Sequence, residues 1–230
     1  MSKSIKTNFL NYLLVNLDTT IKKFEKKHRD AVRKLFAETT FMGLPLEKGF
    51  CDIEIYTDIE TKYYTDYEPE SSFVAMQDEK FAGYLLGCKN PQKHERLQPF
   101  ISLVPAIKGA YRFLSGKYDE KTKQMIKWFF KEGYQQIPAV PPKAAHFHIN
   151  LEKECRIQGT GSKLVKSFEF ELKQKEIKKC FVQVLYTEML GAAPFFRKLG
   201  YQDYDCKKFT GLKHFFLDEV TLYTLVKEIN

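Results

Sequence analysis

Two adjoining stretches carry residues able to do chemistry. The first is "CRIQGTGSKLVKSF", Cys155 to Phe168, where Gly159 and Gly161 stand among Arg156, Gln158, Ser162 and Lys163. Glycine has no Cβ, so backbone N–H groups there can approach an anion closely. A helix beginning near Thr160 or Gly161 leaves about four N–H groups unpaired and roughly half a positive charge at its first turn. Such a nest suits a phosphate or pyrophosphate. The second stretch is "AAHFHINL", Ala144 to Leu151, just upstream. Strand alternation puts His146, His148 and Asn150 on one face and Ala145, Phe147 and Ile149 on the other. A neutral imidazole can act as a base or proton relay near pH 7. Simple packing is the more ordinary role for both histidines. An amide at Asn150 cannot be a base, and Glu152 and Glu154 suit a solvated loop.

Three phosphate motifs compete for the glycine turn. The dinucleotide fingerprint needs a third glycine where Leu164 stands. The nucleotide-triphosphate loop fails because no upstream glycine has the spacing and Lys163 follows Ser162. The pattern R/Q-x-x-G-x-G/A is met by Arg156, Gly159 and Gly161. Three fixed positions are weak alone; their place between a strand and an amphipathic helix strengthens them.

That placement follows from the elements around the turn. "GSKLVKSFEFELKQKEI" repeats Leu164, Phe168 and Leu172 every four residues, which predicts an amphipathic helix. "KCFVQVLY" reads as a buried strand, and "LGAAPFFRKLGY" as a short helix with Pro194 in its first turn and Gly200 as its cap. "HFFLDEVTLYTLVKEI" reads as one long closing strand. Upstream, Ile21–Phe24 suits a first strand, and helices are expected from near Asp30 and over "CDIEIYTDIETKYYTDY", separated by "GLPLEKG". "SSFVAMQDEKFAGYLLGCK" gives a hairpin through "QDEK". Residues 90–142 differ in texture, with helical patterns near Arg96–Leu114 and Glu120–Lys131 and a proline-rich end. The order is β-helix-helix, ββ, a helical insertion, then βαβαββ, a mixed α/β class. We read residues 1–18 as an N-terminal extension and 19–230 as one domain with its insertion at about 90–142.

Composition bounds the rest. Charged residues make up 29%, and no apolar run reaches the ~20 residues of a membrane span. "FLNYLLVNL" near the start is broken by asparagines and lacks a cleavage site, so no signal peptide is expected. Five scattered cysteines without a CxxC argue against disulfides and zinc and point to a reducing cytoplasm. The net charge of +8 allows an anionic partner. The aromatics follow core periodicity rather than basic stripes, so no nucleic acid is expected. His28, His94 and His214 belong to no motif and read as surface residues.

"HINLEKECRIQGTGSKLV" and, about thirty residues later, "AAPFFRKLGY" resemble the two signature regions of the GNAT superfamily of N-acetyltransferases. The resemblance covers about residues 19–230 apart from the insertion. "FVAMQDEKFAGYLLGC" and the long insertion are also similar to the acetyltransferase-like domain of bacterial O-GlcNAcase-type proteins. The resemblance implies a central, mixed, mostly antiparallel twisted sheet flanked by helices, with acetyl-CoA as cosubstrate. It implies that the backbone of Ile149 and Leu151 pairs with the pantetheine arm at a splay. It implies that Arg156, Ile157, Gln158, Gly159, Thr160, Gly161 and Ser162 surround the pyrophosphate. Phe196 stands where the family often has a tyrosine acid, and Met189 where it often has an asparagine. Tyr186, Tyr201 and Tyr204 are substitutes for that acid. The implied reaction is direct attack by a small-molecule or peptide amine, with His148 and His146 as candidate bases. Without a hydroxyl at Phe196, a non-catalytic acyl-CoA-binding module is the alternative. The resemblance implies acceptor contacts from about Phe36 to Tyr67 and from the insertion; Tyr56, Tyr63 and Tyr64 there accompany Asp52, Glu54, Asp58 and Glu60, acids that suit a cationic amine or, equally, a solvated helix face.

Overall fold

A computed structural model describes residues 19–45, 50–156, 158–213 and 219–230. The expected N-terminal extension, Ile157 and His214 lie outside the described residues. The chain opens with β1 (Thr19–Lys23), α1 (Arg29–Thr39) and α2 (Ile53–Lys62), the last continued by a π-helical turn over Tyr63–Tyr67. β2 (Phe73–Gln77) and β3 (Lys80–Cys88) form the hairpin expected from "QDEK". Its turn residues, Asp78 and Glu79, both take positive φ, the backbone of a type I′ turn. Then come α3 (Pro91–Leu114) and α4 (Glu120–Lys131), followed by β4 (Ala145–Leu151), α5 (Thr160–Gln174) and β5 (Lys179–Tyr186). α6 (Ala193–Lys198), β6 (Gln202–Lys208) and β7 (Thr221–Glu228) complete the chain.

The seven strands form one sheet in the order β1-β2-β3-β4-β5-β7-β6, antiparallel throughout except where β4 meets β5. Period-two alternation sorts the side chains onto two faces. One face packs Phe73, Leu85, Ala145, Phe147 and Val182 against Leu164, Phe168 and Leu172 of α5 and Phe196 of α6. The other packs Val74, Tyr84, Leu86 and Cys88 against α1, Tyr63, Tyr64 and Ile101 of α3. α4 anchors elsewhere: Trp128 donates to the Thr210 hydroxyl at 2.8 Å and lies against Gly211 in the link from β6 to β7.

The closing strand is shorter than the sequence pattern suggests. The expected run from His214 to Ile229 yields a strand only from Thr221 to Glu228, and residues 214–218 are outside the described set. Its partner β6 carries a bulge between Asp203 and Asp205. His28 is not a surface residue either. It is 8% exposed, and its Nδ1 accepts the Glu25 N–H at 3.0 Å, closing the turn before α1.

Candidate active site

The site is built on β4, whose two edges differ. On one edge β4 pairs with β3 from Gly83↔Leu151 to Cys88↔His146. On the other it pairs with β5 only at Ala145↔Cys180 and His146↔Phe181, and then the strands part. The Glu152 N–H donates to the Ala82 carbonyl at 2.9 Å, extending the β3 ladder and fixing its alternation. Backbone groups of His146, His148 and Asn150 therefore face β3. Those of Phe147, Ile149 and Leu151 face the opening toward β5. Arg156 Nε donates to the Leu151 carbonyl at 3.2 Å, so one acceptor at the mouth is already engaged.

The glycine turn sits at the end of that opening. Gly159 takes φ +79°, and α5 begins directly after it with no side chain capping its first turn. Its first backbone bond is Lys163 N–H to the Gly159 carbonyl, and among the described residues the N–H groups of Thr160, Gly161 and Ser162 have no hydrogen-bond partner. Gly161 serves packing: a Cβ there would meet Phe195 Cζ at 3.2 Å and Leu151 Cδ1 at 3.4 Å. The polar side chains of the turn are mostly committed to the fold. Gln158 accepts from Gln77 at 2.7 Å and donates to the Glu154 carbonyl at 2.9 Å. Thr160 is buried with its hydroxyl toward Thr19, and Lys163 reaches the Thr19 carbonyl at 3.2 Å. What the turn offers an anion is thus backbone N–H and helix dipole, with Ser162 beside them.

α6 closes the far side. Phe196 is 1% exposed and packs against Phe147, Phe195 and Tyr201. Tyr201 is equally buried, Tyr204 is half exposed on β6, and Met189 is 81% exposed on the loop after β5. Of the three tyrosines considered as an acid, Tyr186 alone lies on the strand that borders the opening.

On the opposite face of β4, the side chains form a connected polar row. The Tyr64 hydroxyl lies 3.0 Å from His146 Nε2 and 3.1 Å from His148 Nε2. A hydroxyl has one proton, so it donates to one imidazole and accepts from the other. His146 Nδ1 is buried without a partner among the described residues. A bare acceptor is tolerated there better than an unpaired N–H. His146 therefore carries its proton on Nε2 and donates to Tyr64, which donates to His148. Asn150 donates to the Tyr84 hydroxyl at 2.7 Å. His94, expected at the surface, instead stands with its ring 5.0 Å from that of His146 and 4.6 Å from that of Tyr63. Burial and the neighbouring imidazoles push His146 well below the usual histidine range. Burial, with His94 adding to it, brings His148 to about 4. Both are neutral at pH 7. Among the described residues no histidine, cysteine or carboxylate group clusters as a metal would require.

The four acids named on the α2 segment separate sharply. Asp52 caps α2 and binds Arg112 and Tyr118, both at 2.6 Å. Glu54 pairs with Arg112 and Lys108, and Asp58 with Arg33. Glu60 has no ion pair or side-chain hydrogen bond among the described residues. It lies one turn from both Tyr56 and Tyr64 on α2, and its charge is felt by Tyr56, Tyr64 and Tyr84. Burial pushes its carboxyl up to about 7. Sequence reasoning grouped Glu60 with its neighbours because period and composition carry no information about which acid meets a cation. Tyr84 and His94 were missed for the same reason: each sits in a pattern that reads as core or surface.

The chain matches the Acetyltransferase (GNAT) family over residues 30–201. Among solved structures it is similar to SsHAT at 18% identity and a TM-score of 0.60, over 93% of this chain and 99% of that one. It is similar to an N-acetyltransferase from Staphylococcus aureus Mu50 at 10% identity and a TM-score of 0.53, over 93% and 99%. It is also similar to the Drosophila melanogaster polyamine N acetyltransferase, which catalyses the formation of N-acetylagmatine, at 12% identity and a TM-score of 0.51, over 92% and 100%. No curated protein matches the chain. At these identities the structural likeness establishes the fold. The family match runs from α1 through the glycine turn to Tyr201, and so takes in both edges of β4 and most of α6's surroundings. The chain belongs to the GNAT family of acetyltransferases.

Proposed function

We propose that the chain transfers the acetyl group of acetyl-CoA to a primary amine by direct attack, acting as one domain from residue 19 with α3 and α4 inserted into it. The opening between β4 and β5, ending on an uncapped helix start at Gly159, carries this reading. An extended pantetheine arm pairs with the backbone of Ile149 and Leu151 beyond the last β5 pair, as an added strand would. The pyrophosphate takes the N–H groups of Thr160, Gly161 and Ser162.

The amine enters on the histidine–tyrosine face. Glu60 is a carboxylate with no ion pair among the described residues, and its pKa of about 7 matches a general base at neutral pH. An alkylammonium must lose a proton before its nitrogen can attack. The row His146–Tyr64–His148 stays neutral and hydrogen-bonded, so it orients the acceptor and can pass a proton along. The nitrogen lone pair attacks the thioester carbon, and the Leu151 N–H faces the side where the carbonyl oxygen gains charge. The C–S bond then breaks, the nitrogen gives up its extra proton, and the CoA thiolate takes up a proton through Tyr186 or water, so that amide and free thiol result.

A second reading, a module that binds acyl-CoA without turnover, draws on Phe196, which is buried and has no hydroxyl. Two measurements separate these readings. Acetyl-CoA should raise the Tm of the wild type and of Gly159→Asn, since asparagine tolerates a left-handed backbone. Gly159→Asp keeps that backbone but sets a carboxylate against the pyrophosphate, and should weaken acetyl-CoA binding roughly ten- to a hundredfold. Free thiol is then followed with acetyl-CoA and a panel of primary amines. Amine-dependent release supports transfer; a Tm rise without release supports the binding module; no rise with any acyl-CoA overturns both.

A further inference from the structure

The outer face of α3 is apolar where a soluble helix is usually polar. Phe100, Leu103, Val104, Ile107, Tyr111 and Leu114 recur at three- and four-residue spacing along it, and are between 54% and 85% exposed. At about 100° per residue they fall within one arc of roughly 100°, a single continuous stripe. The opposite face, with Ile101 and Pro105, is buried against α2 and the core. The stripe is therefore additional to the side chains that hold the helix in place. Monomeric proteins seldom expose a contiguous apolar surface of this kind without a use for it.

Charge identifies what covers it. Residues 90–142 hold nine lysines and arginines against four acids, five of the chain's eight excess positive charges. Lys93 and Arg96 lie at the head of the stripe, and Lys117 follows its end with its ammonium over the Tyr111 ring. Arg96, Lys117, Lys121 and Lys127 form no ion pair among the described residues. Two copies meeting stripe to stripe would bring these cations together. A lone convex ridge also offers a protein partner no groove to fill. An apolar ridge bordered by cations fits a fluid anionic surface, which needs no matching shape.

We propose that α3 docks the protein on anionic lipid, with the stripe seated at the headgroup boundary and the flanking lysines and arginines on the lipid phosphates and carboxylates. This is a contact with a membrane surface and not a span: among the described residues no helix is long and apolar enough to cross one. It is independent of the acetyl-transfer reading.

The test is co-sedimentation of the full chain with phosphatidylcholine vesicles, with and without phosphatidylserine. Binding is expected only with phosphatidylserine and should weaken steeply with salt. The variant Ile107→Glu/Leu114→Glu should bind at least roughly tenfold more weakly, as should Arg96→Glu/Lys117→Glu, each with unchanged Tm because these side chains are exposed. Absence of binding to either vesicle overturns the proposal. So does equal binding by the glutamate variants. Sedimentation of the wild type as a dimer that Ile107→Glu/Leu114→Glu disperses would also overturn it, by giving the stripe to a second copy.

Discussion

The two edges of β4 are made from the same seven residues, yet one is closed and the other open. Toward β3, the backbone of His146, His148 and Asn150 is paired along the whole strand. Toward β5, Ile149 and Leu151 are left without a strand partner after the first two residue pairs. A sheet interior normally leaves no such gap, because an unpaired buried amide costs about as much as a lost hydrogen bond. The gap persists because packing on either side of it is independent. α5 holds β4 through Phe147 and Phe168, while β7 holds β5 along its full length. A binding slot thus arises where two well-supported halves of one sheet diverge.

The sharpest way to break this comparison is one substitution moved by one residue. His148→Pro removes an N–H from the paired edge and should destabilise the fold by about 3 kcal/mol or more. Ile149→Pro removes an N–H from the open edge. It should cost clearly less stability while abolishing the Tm rise with acetyl-CoA. Equal destabilisation by the two in urea melts would show that the edges are not different.

Next in size is Glu60, whose charge reaches Tyr64 and Tyr84 beside the histidine face of β4. Glu60→Gln should lower kcat/KM roughly a hundredfold, the lower range for loss of a general base. Wild-type kcat/KM should rise with pH through about 7, where Glu60 ionises, and that limb should vanish in the variant. Stability carries the opposite sign. The folded carboxyl holds its proton up to about 7 against an ordinary 4.5, so its contribution is full below 4.5 and is lost as pH rises through 7. Glu60→Gln should flatten the fall in Tm over that window. A limb that survives the substitution would return the base to the histidine row.

The smallest expected effect tests the closure of the slot's far side. Gly161→Ala puts a methyl 3.2 Å from Phe195 and 3.4 Å from Leu151. It should cost about 1–2 kcal/mol by overpacking, and Phe195→Leu in the same chain should recover part of it. Additive losses in chemical denaturation would mean that the two side chains do not share that space.

Much of this was legible along the chain. The hairpin, the helix with Leu164, Phe168 and Leu172, and the strand Lys179–Tyr186 each follow from local periodicity, since burial on one face writes itself into spacing. β6 is harder to see: as an edge strand it is almost wholly exposed, and "QDYDCKK" shows no apolar alternation. α3 begins at Pro91, capped by Asn90, ahead of the helical pattern expected from near Arg96, because a cap is a local hydrogen bond that apolar spacing does not mark.

By itself the sequence determined which local elements form, that a glycine turn joins a central strand to a helix, and that His146, His148 and Asn150 share a face. Those are properties of neighbours in the chain, set by backbone freedom and by periods of 2 and 3.6 residues. Only the tertiary structure decided that β4 and β5 part after two residue pairs, that Tyr64 stands between two imidazoles, and that Glu60 alone of four acids has no ion pair among the described residues. Each depends on groups brought together from distant parts of the chain. The energies that matter there, desolvation and pairing, are set by which groups meet and not by their order in sequence.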